Sequence, residues 1–205
     1  MTEAEWLDCT DPGPMLYFLR GKASDRKLRL FGCACWRAVW DDRWPRRSRH
    51  VVYAAESFAD GRATDGDLDL SRYLALQKAQ HVEEYPGRSR LFFAADTALR
   101  GEPLFMSLCT VFRDDEQMRP VGQGLLRDVF DNPFRPVTAD PRWLTSTVVA
   151  LARTIYHEWA FDRLPILADA LEEAGCDDAD VLTHCRGQGA HVRGCWVVDL
   201  LLGKE

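Results

Sequence analysis

Apolar residues recur at steps of three and four along most of this chain, a spacing that predicts helices. Met15, Leu16, Phe18 and Leu19 follow Thr10-Asp11-Pro12, which supplies a capping side chain and a proline suited to a first helical turn. Gly21 ends that segment. Ser24 caps a second helix over roughly 25–41, where Leu28, Phe31, Cys35 and Val39 share one face and Asp25 complements the helix dipole. After a polar connection at 43–49, residues 48–59 read as helix with Val51, Val52, Ala55 and Phe58 inward and Gly61 beyond the end. Thr64 or Asp65 opens another over about 67–85, carrying Leu70, Tyr73, Leu74, Gln77 and His81, and Pro86-Gly87 stops it. Further helices are expected at 88–100, from Pro103 to Phe112 and at 118–130, the last weakened by Pro120, Gly122 and Gly124.

The stretch from Asp131 to Pro141 holds three prolines, each biasing the residue before it away from helix, and makes the best boundary. The expected organisation is a helical region at 1–130, a Pro-rich connection at 131–141 and a helical region at 142–205, packed as one domain. Thr145 caps a helix that runs to about Trp159, with Val148, Leu151, Ala152 and Ile155 on one stripe. The next spans Asp162 to Ala174, with Pro165 in its first turn and Gly175 at its end. Asp177 and Asp180 resemble an acidic capping box opening a short helix to Arg186-Gly187, and the loop Gly187–Ala190 leads into a last helix at about 192–202. No run alternates with a period of two. The fold class is therefore all-α: a compact multi-helix array, with α-solenoid-like helix pairs in the C-terminal part.

Composition narrows the function classes. Apolar residues make up 46% of 205 residues, enough for one core or two small ones, which excludes a disordered chain. A formal charge of −6 and a pI near 5.4 give no general attraction to nucleic acid or to an anionic membrane. The longest apolar stretch near the C-terminus, Cys195 to Leu202, is too short to span a bilayer and is interrupted by Asp199, so no membrane association is expected. The seven cysteines are odd in number and scattered through helical patterns, and the opening Met1-Thr2-Glu3-Ala4-Glu5 lacks a basic, apolar leader. Both features point to free thiols in a cytoplasmic protein.

The densest chemistry lies near the C-terminus, where Cys176, His184, Cys185, His191 and Cys195 offer metal ligands. If His191 lies in the first turn of the last helix, Cys195 four residues on shares its face. A helical hairpin then brings Cys176, Cys185, His191 and Cys195 to one tetrahedral, zinc-type centre. The spacings match no common zinc pattern, and the competing reading is three buried thiols and two surface imidazoles.

Other signals are weaker. Cys33 and Cys35 are two apart on a helix, which turns their thiols to opposite sides, so Cys35 reads as core and Cys33 as packing against a neighbour. His157-Glu158 lacks the second histidine of a zinc protease, because position 161 is Phe161. Gly187-Gln188-Gly189 follows no strand and is no dinucleotide fingerprint. Trp40, Trp44, Arg46 and Arg47 combine the residue types favoured at protein interfaces, against the reading of a solvated loop that neutralises Asp41 and Asp42.

Two blocks resemble a family of uncharacterised bacterial helical proteins that occur as many paralogues in large genomes. The first runs from Glu5-Trp6 through Pro14-Met15-Leu16 to Ser24-Asp25-Arg26-Lys27-Leu28-Arg29-Leu30-Phe31. The second comprises Asn132-Pro133-Phe134-Arg135-Pro136, Trp143-Leu144-Thr145, Ala160 to Asp169, Gly175-Cys176, His184-Cys185-Arg186 and His191 to Glu205. The chain departs from the expected family pattern at Ser146, Gln188 and Ala190, where prolines are expected. The resemblance implies a helical, intracellular bacterial protein and brings no activity with it. From the residues, three functions follow in order: a non-catalytic module that binds an unknown protein partner, a zinc-stabilised helical domain, and an enzyme with a dispersed active site. No cofactor is expected on the first reading, zinc on the second, and nucleic acid is not an expected partner on any of them.

Overall fold

The computed structural model describes residues 1–38, 46–80, 101–114 and 118–204. Among the described residues every regular element is helical, with eleven α-helices and two 3-10 turns, as the period of the apolar pattern requires. None of these helices is long and apolar enough to cross a membrane. Contacts divide the chain into two units, Met1–Leu126 and Arg127–Glu205. The division falls inside a helix, ahead of the proline-containing stretch expected to be the boundary.

The first unit contains α1 (Glu3–Asp8), α2 (Pro12–Leu19), α3 (Asp25–Ala38), α4 (Arg46–Ala59), α5 (Asp65–Gln80), α6 (Gly101–Asp114) and most of α7 (Met118–Phe130). The apolar pattern gave no sign of α1. It starts on a capping box, in which Thr2 accepts from the Glu5 amide while the Glu5 carboxylate takes the Thr2 amide, and it buries Trp6. The middle of the unit is α3, which packs on α4 and α6. Arg37 of α3 forms a two-pronged ion pair with the buried Glu56 of α4, at 2.6 and 2.8 Å. Cys33 and Cys35 are both buried, and Cys33 Sγ sits 3.9 Å from the Val52 carbonyl of α4, so both behave as core thiols.

One expected face needs correction. Leu70, Tyr73 and Leu74 of α5 are exposed, whereas Leu68 and Ala75 are buried. Leu68 and Ala75 are seven residues apart, two helical turns, and form the inner stripe. Leu70 lies roughly 200° around the helix from Leu68. The expected helix at 88–100 and the position of His81 lie outside the described residues.

In α7, the glycine that weakened the helical pattern has a packing reason. A Cβ on Gly122 would meet the Phe112 ring at 2.2 Å. Phe112 is fully buried and lies 5.7 Å, ring to ring, from Phe31 of α3. Gly122 lets α7 approach that ring closely.

The second unit holds the last turn of α7, then α8 (Ser146–Glu158), α9 (Leu164–Glu173), α10 (Ala179–Arg186) and α11 (Trp196–Leu202). Thr145 caps α8 as expected, and Trp159 closes it in the left-handed conformation. His157 and Glu158 are exposed at that end. The α8–α9, α9–α10 and α10–α11 pairs pack in order, and α11 also returns against α8, so the array closes on itself. Val148, Ile155, Leu167, Leu171, Val181 and Val198 are among the residues of its core. The Arg193 guanidinium stacks on Tyr156 at 4.8 Å and on Trp159 at 4.9 Å, which fixes the loop before α11 to the end of α8.

Two boundaries differ from expectation. The cap of α10 is Asp178, which accepts from the amides of Asp180 and Val181, in place of Asp177. The last helix starts at Trp196, with Cys195 as its flanking residue. Residues 191–195 are loop, and Gly194 takes φ 98°, a backbone conformation that favours glycine.

Candidate metal centre

The loop before α11 decides which side chains meet. Four groups from separate parts of the second unit converge there: Asp128 from the last turn of α7, His184 from α10, and His191 and Cys195 from the loop. One ligand-type atom from each lies within 4.8 Å of all the others. His191 Nδ1 is 2.6 Å from Asp128 Oδ1. His184 Nε2 is 3.2 Å from that same oxygen and 3.2 Å from Cys195 Sγ. The two imidazole rings meet edge to face, 4.8 Å apart.

Neighbouring contacts orient these groups. Asp128 Oδ2 accepts the Val192 backbone N–H at 2.9 Å. His184 Nδ1 accepts from the Trp196 indole at 2.9 Å. Arg186, two residues beyond His184, bonds Glu172 at 2.6 and 3.0 Å and Asp169 at 2.8 Å, which ties the end of α10 to α9. His191 Nε2 is buried with no hydrogen-bond partner among the described residues.

The electrostatics follow from burial and from these contacts. Burial acts to raise the Asp128 carboxyl, but hydrogen bonds from His184 and His191 outweigh it and hold the group below its ordinary value. Asp128 therefore stays ionised although only 4% of the residue is exposed. Burial pushes the Cys195 thiol well up; the Asp128 charge adds to this, and the amides of Val198 and Val197 oppose it. A protonated thiol is the consequence while no cation shares the site.

The arrangement is not a thiol–imidazole–carboxylate relay. Such a relay places the acid and the nucleophile on different ring nitrogens. Here Asp128 and Cys195 share Nε2 of His184, and Trp196 occupies Nδ1. One ligand-type atom from each of four side chains, all within 4.8 Å of one another, makes the group a candidate cation site.

Of the ligand set expected from the sequence, His191 and Cys195 are brought together and Cys176 and Cys185 stand outside the group. Cys185 is fully buried, and burial followed by the neighbouring Cys176 pushes its thiol up to about 12. Burial likewise raises Cys176. The helical face that was to align His191 with Cys195 does not form, and the loop aligns them instead. Their places are taken by His184, one residue before Cys185, and by Asp128, which sequence reasoning missed. A signal for Asp128 existed. It is an acidic residue on a stripe otherwise made of the buried Leu125, Leu126 and Val129.

Trp40 and Trp44, the aromatic half of the expected interaction surface, lie outside the described residues, and Arg46 and Arg47 open α4. No protein-family model, curated protein or solved structure matches this chain.

Proposed function

We propose that the second unit is a metal-stabilised helical domain in which Asp128, His184, His191 and Cys195 hold one zinc-class divalent ion. The observation that carries this reading is the convergence of four ligand-type atoms within 4.8 Å, two from buried and two from half-buried residues. The donors are one carboxylate oxygen, two imidazole nitrogens and one sulfur, a mixed set that suits zinc better than magnesium or calcium. Around a tetrahedral zinc such donors stand roughly 3.3–3.6 Å apart. The observed 2.6 and 3.2 Å contacts and the 4.8 Å limit bracket that range, so small side-chain shifts admit the ion.

Charge supports the same reading. A buried carboxylate and a thiolate carry two negative charges that a divalent cation neutralises. Four protein donors fill a tetrahedral shell without an open position, which is the pattern of a structural centre. The role of the ion is then to join the end of α7, α10 and the loop before α11.

The test is elemental mass spectrometry on the full chain purified without a His tag, together with thermal unfolding with and without a chelator. About one zinc per chain and a lower Tm under chelation are expected. Metal-free protein whose unfolding ignores both chelator and added zinc overturns the proposal.

A further inference from the structure

Trp196 Nε1 lies 2.9 Å from His184 Nδ1, with the two rings 5.1 Å apart. An indole nitrogen donates only, so Nδ1 is the acceptor in this pair. A neutral imidazole has one lone pair, and a ring that accepts at Nδ1 carries its hydrogen on Nε2. Nε2 is the atom that faces Asp128 Oδ1 and Cys195 Sγ, where that N–H donates. A cation in the centre needs a lone pair at the same place. His184 cannot accept from the indole and coordinate through Nε2 at once while it stays neutral.

We infer that Trp196 is a positioning residue that opposes loading of the centre, and that occupation by a divalent ion breaks the Trp196–His184 hydrogen bond. This rests on the metal-centre reading above. The ring stays neutral throughout: a proton leaves Nε2 and one arrives at Nδ1. The two N–H groups then point at each other, so the indole must turn or move away. Trp196 directly follows the ligand Cys195 and is the first residue of α11, so the start of that helix registers the occupancy of the site. Metal ligands ordinarily donate their second ring N–H to an acceptor. A donor in that position is the opposite arrangement, and it lowers affinity.

The experiment uses the full chain labelled with ¹⁵N. Indole N–H signals are followed as zinc chloride is added, and the spectrum of Trp196→Phe identifies the Trp196 signal. At zinc saturation that signal should move upfield, as a freed N–H does, and His184 Nδ1 should become protonated in a long-range ¹H–¹⁵N spectrum. Trp196→Phe should bind zinc roughly fivefold more tightly, the scale of one net hydrogen bond. If that variant does not fold, protonation of His184 Nδ1 in the wild-type long-range spectrum still decides. Zinc binding with an unmoved indole signal, or a folded Trp196→Phe that binds zinc no tighter than wild type, overturns this inference and leaves the metal centre standing. Absence of zinc binding in wild type overturns both.

Discussion

Asp128 holds His191 from 63 residues away in sequence, its Oδ1 accepting from Nδ1 at 2.6 Å. Its other oxygen takes the backbone N–H of the next residue, Val192, at 2.9 Å. One carboxylate thus fixes both the ring and the backbone of the loop that carries two of the candidate ligands. A buried acceptor with this many partners is costly to remove, because the donors left behind are buried too.

Asp128→Ala should therefore destabilise the chain even in the presence of a chelator, by about 3 kcal/mol, the scale of leaving buried donors without their charged acceptor. Asp128→Asn keeps an oxygen for Val192 and should cost about half as much. Denaturant unfolding of both variants in chelator measures the loss without the metal. The same curves with zinc added should show wild type gaining stability and both variants gaining less. Equal stability of Asp128→Ala and wild type in chelator contradicts the hydrogen-bonding role.

The cysteines separate the ligand set expected from sequence from the candidate group that converges in space. Cys195→Ser should abolish stoichiometric zinc. Cys176→Ser and Cys185→Ser should keep it, each at a cost of about 1–3 kcal/mol for placing a hydroxyl among apolar neighbours. Elemental analysis of the three variants beside their unfolding curves checks this. Loss of zinc in Cys185→Ser with full retention in Cys195→Ser would reverse the assignment.

The difference between those two sets shows what the sequence could carry. Helix existence was legible because apolar spacing and caps act locally: Thr145, Pro165 and Gly175 mark their boundaries where the chain places them. The short α1 was not, because its six residues carry one buried side chain and no period. The site was half legible. His191 and Cys195 were singled out, but by a helical spacing that does not exist, since Gly194 turns the backbone between them. Asp128 was legible as an acid on a buried stripe but not as a member of this group, because its partners lie far along the chain and only tertiary packing closes that distance.

Gly122 makes a prediction in the first unit that is independent of any metal. A methyl group there would stand 2.2 Å from the Phe112 ring, and the ring is buried with Phe31 against it. On helix propensity alone Gly122→Ala would stabilise α7 by up to about 1 kcal/mol. Overpacking against a ring with little room should win, giving a net loss of about 1–3 kcal/mol. Combining the change with Phe112→Leu should recover part of the loss, because the two positions share one space. Thermal unfolding of the two single variants and the double variant tests this. A Gly122→Ala chain more stable than wild type contradicts the close approach.

Asp131 supplies a pH dependence with a defined sign. Burial raises its carboxyl from 3.8 to about 6; the Asn132 amide and His184 act in the lowering direction, and Asp180 and Asp178 add to the rise. The residue also sits at φ 54°, a left-handed backbone conformation that asparagine adopts readily. Between about pH 4 and pH 6 the native chain holds a proton that the unfolded chain has released. Stability from this group is therefore greatest below that window and falls as pH rises through it. Asp131→Asn cannot ionise and escapes the loss. The variant should match wild type below about pH 4 and exceed it by about 1 kcal/mol at pH 7.5, a figure already reduced for partial exposure of the group. Carboxylates such as Asp128, held below their ordinary range, slope the other way and are common to both proteins. The quantity to follow is therefore the variant-minus-wild-type difference in denaturant midpoint across pH 4 to 8. A difference that stays flat over that range means the Asp131 carboxyl titrates alike in the folded and unfolded chain.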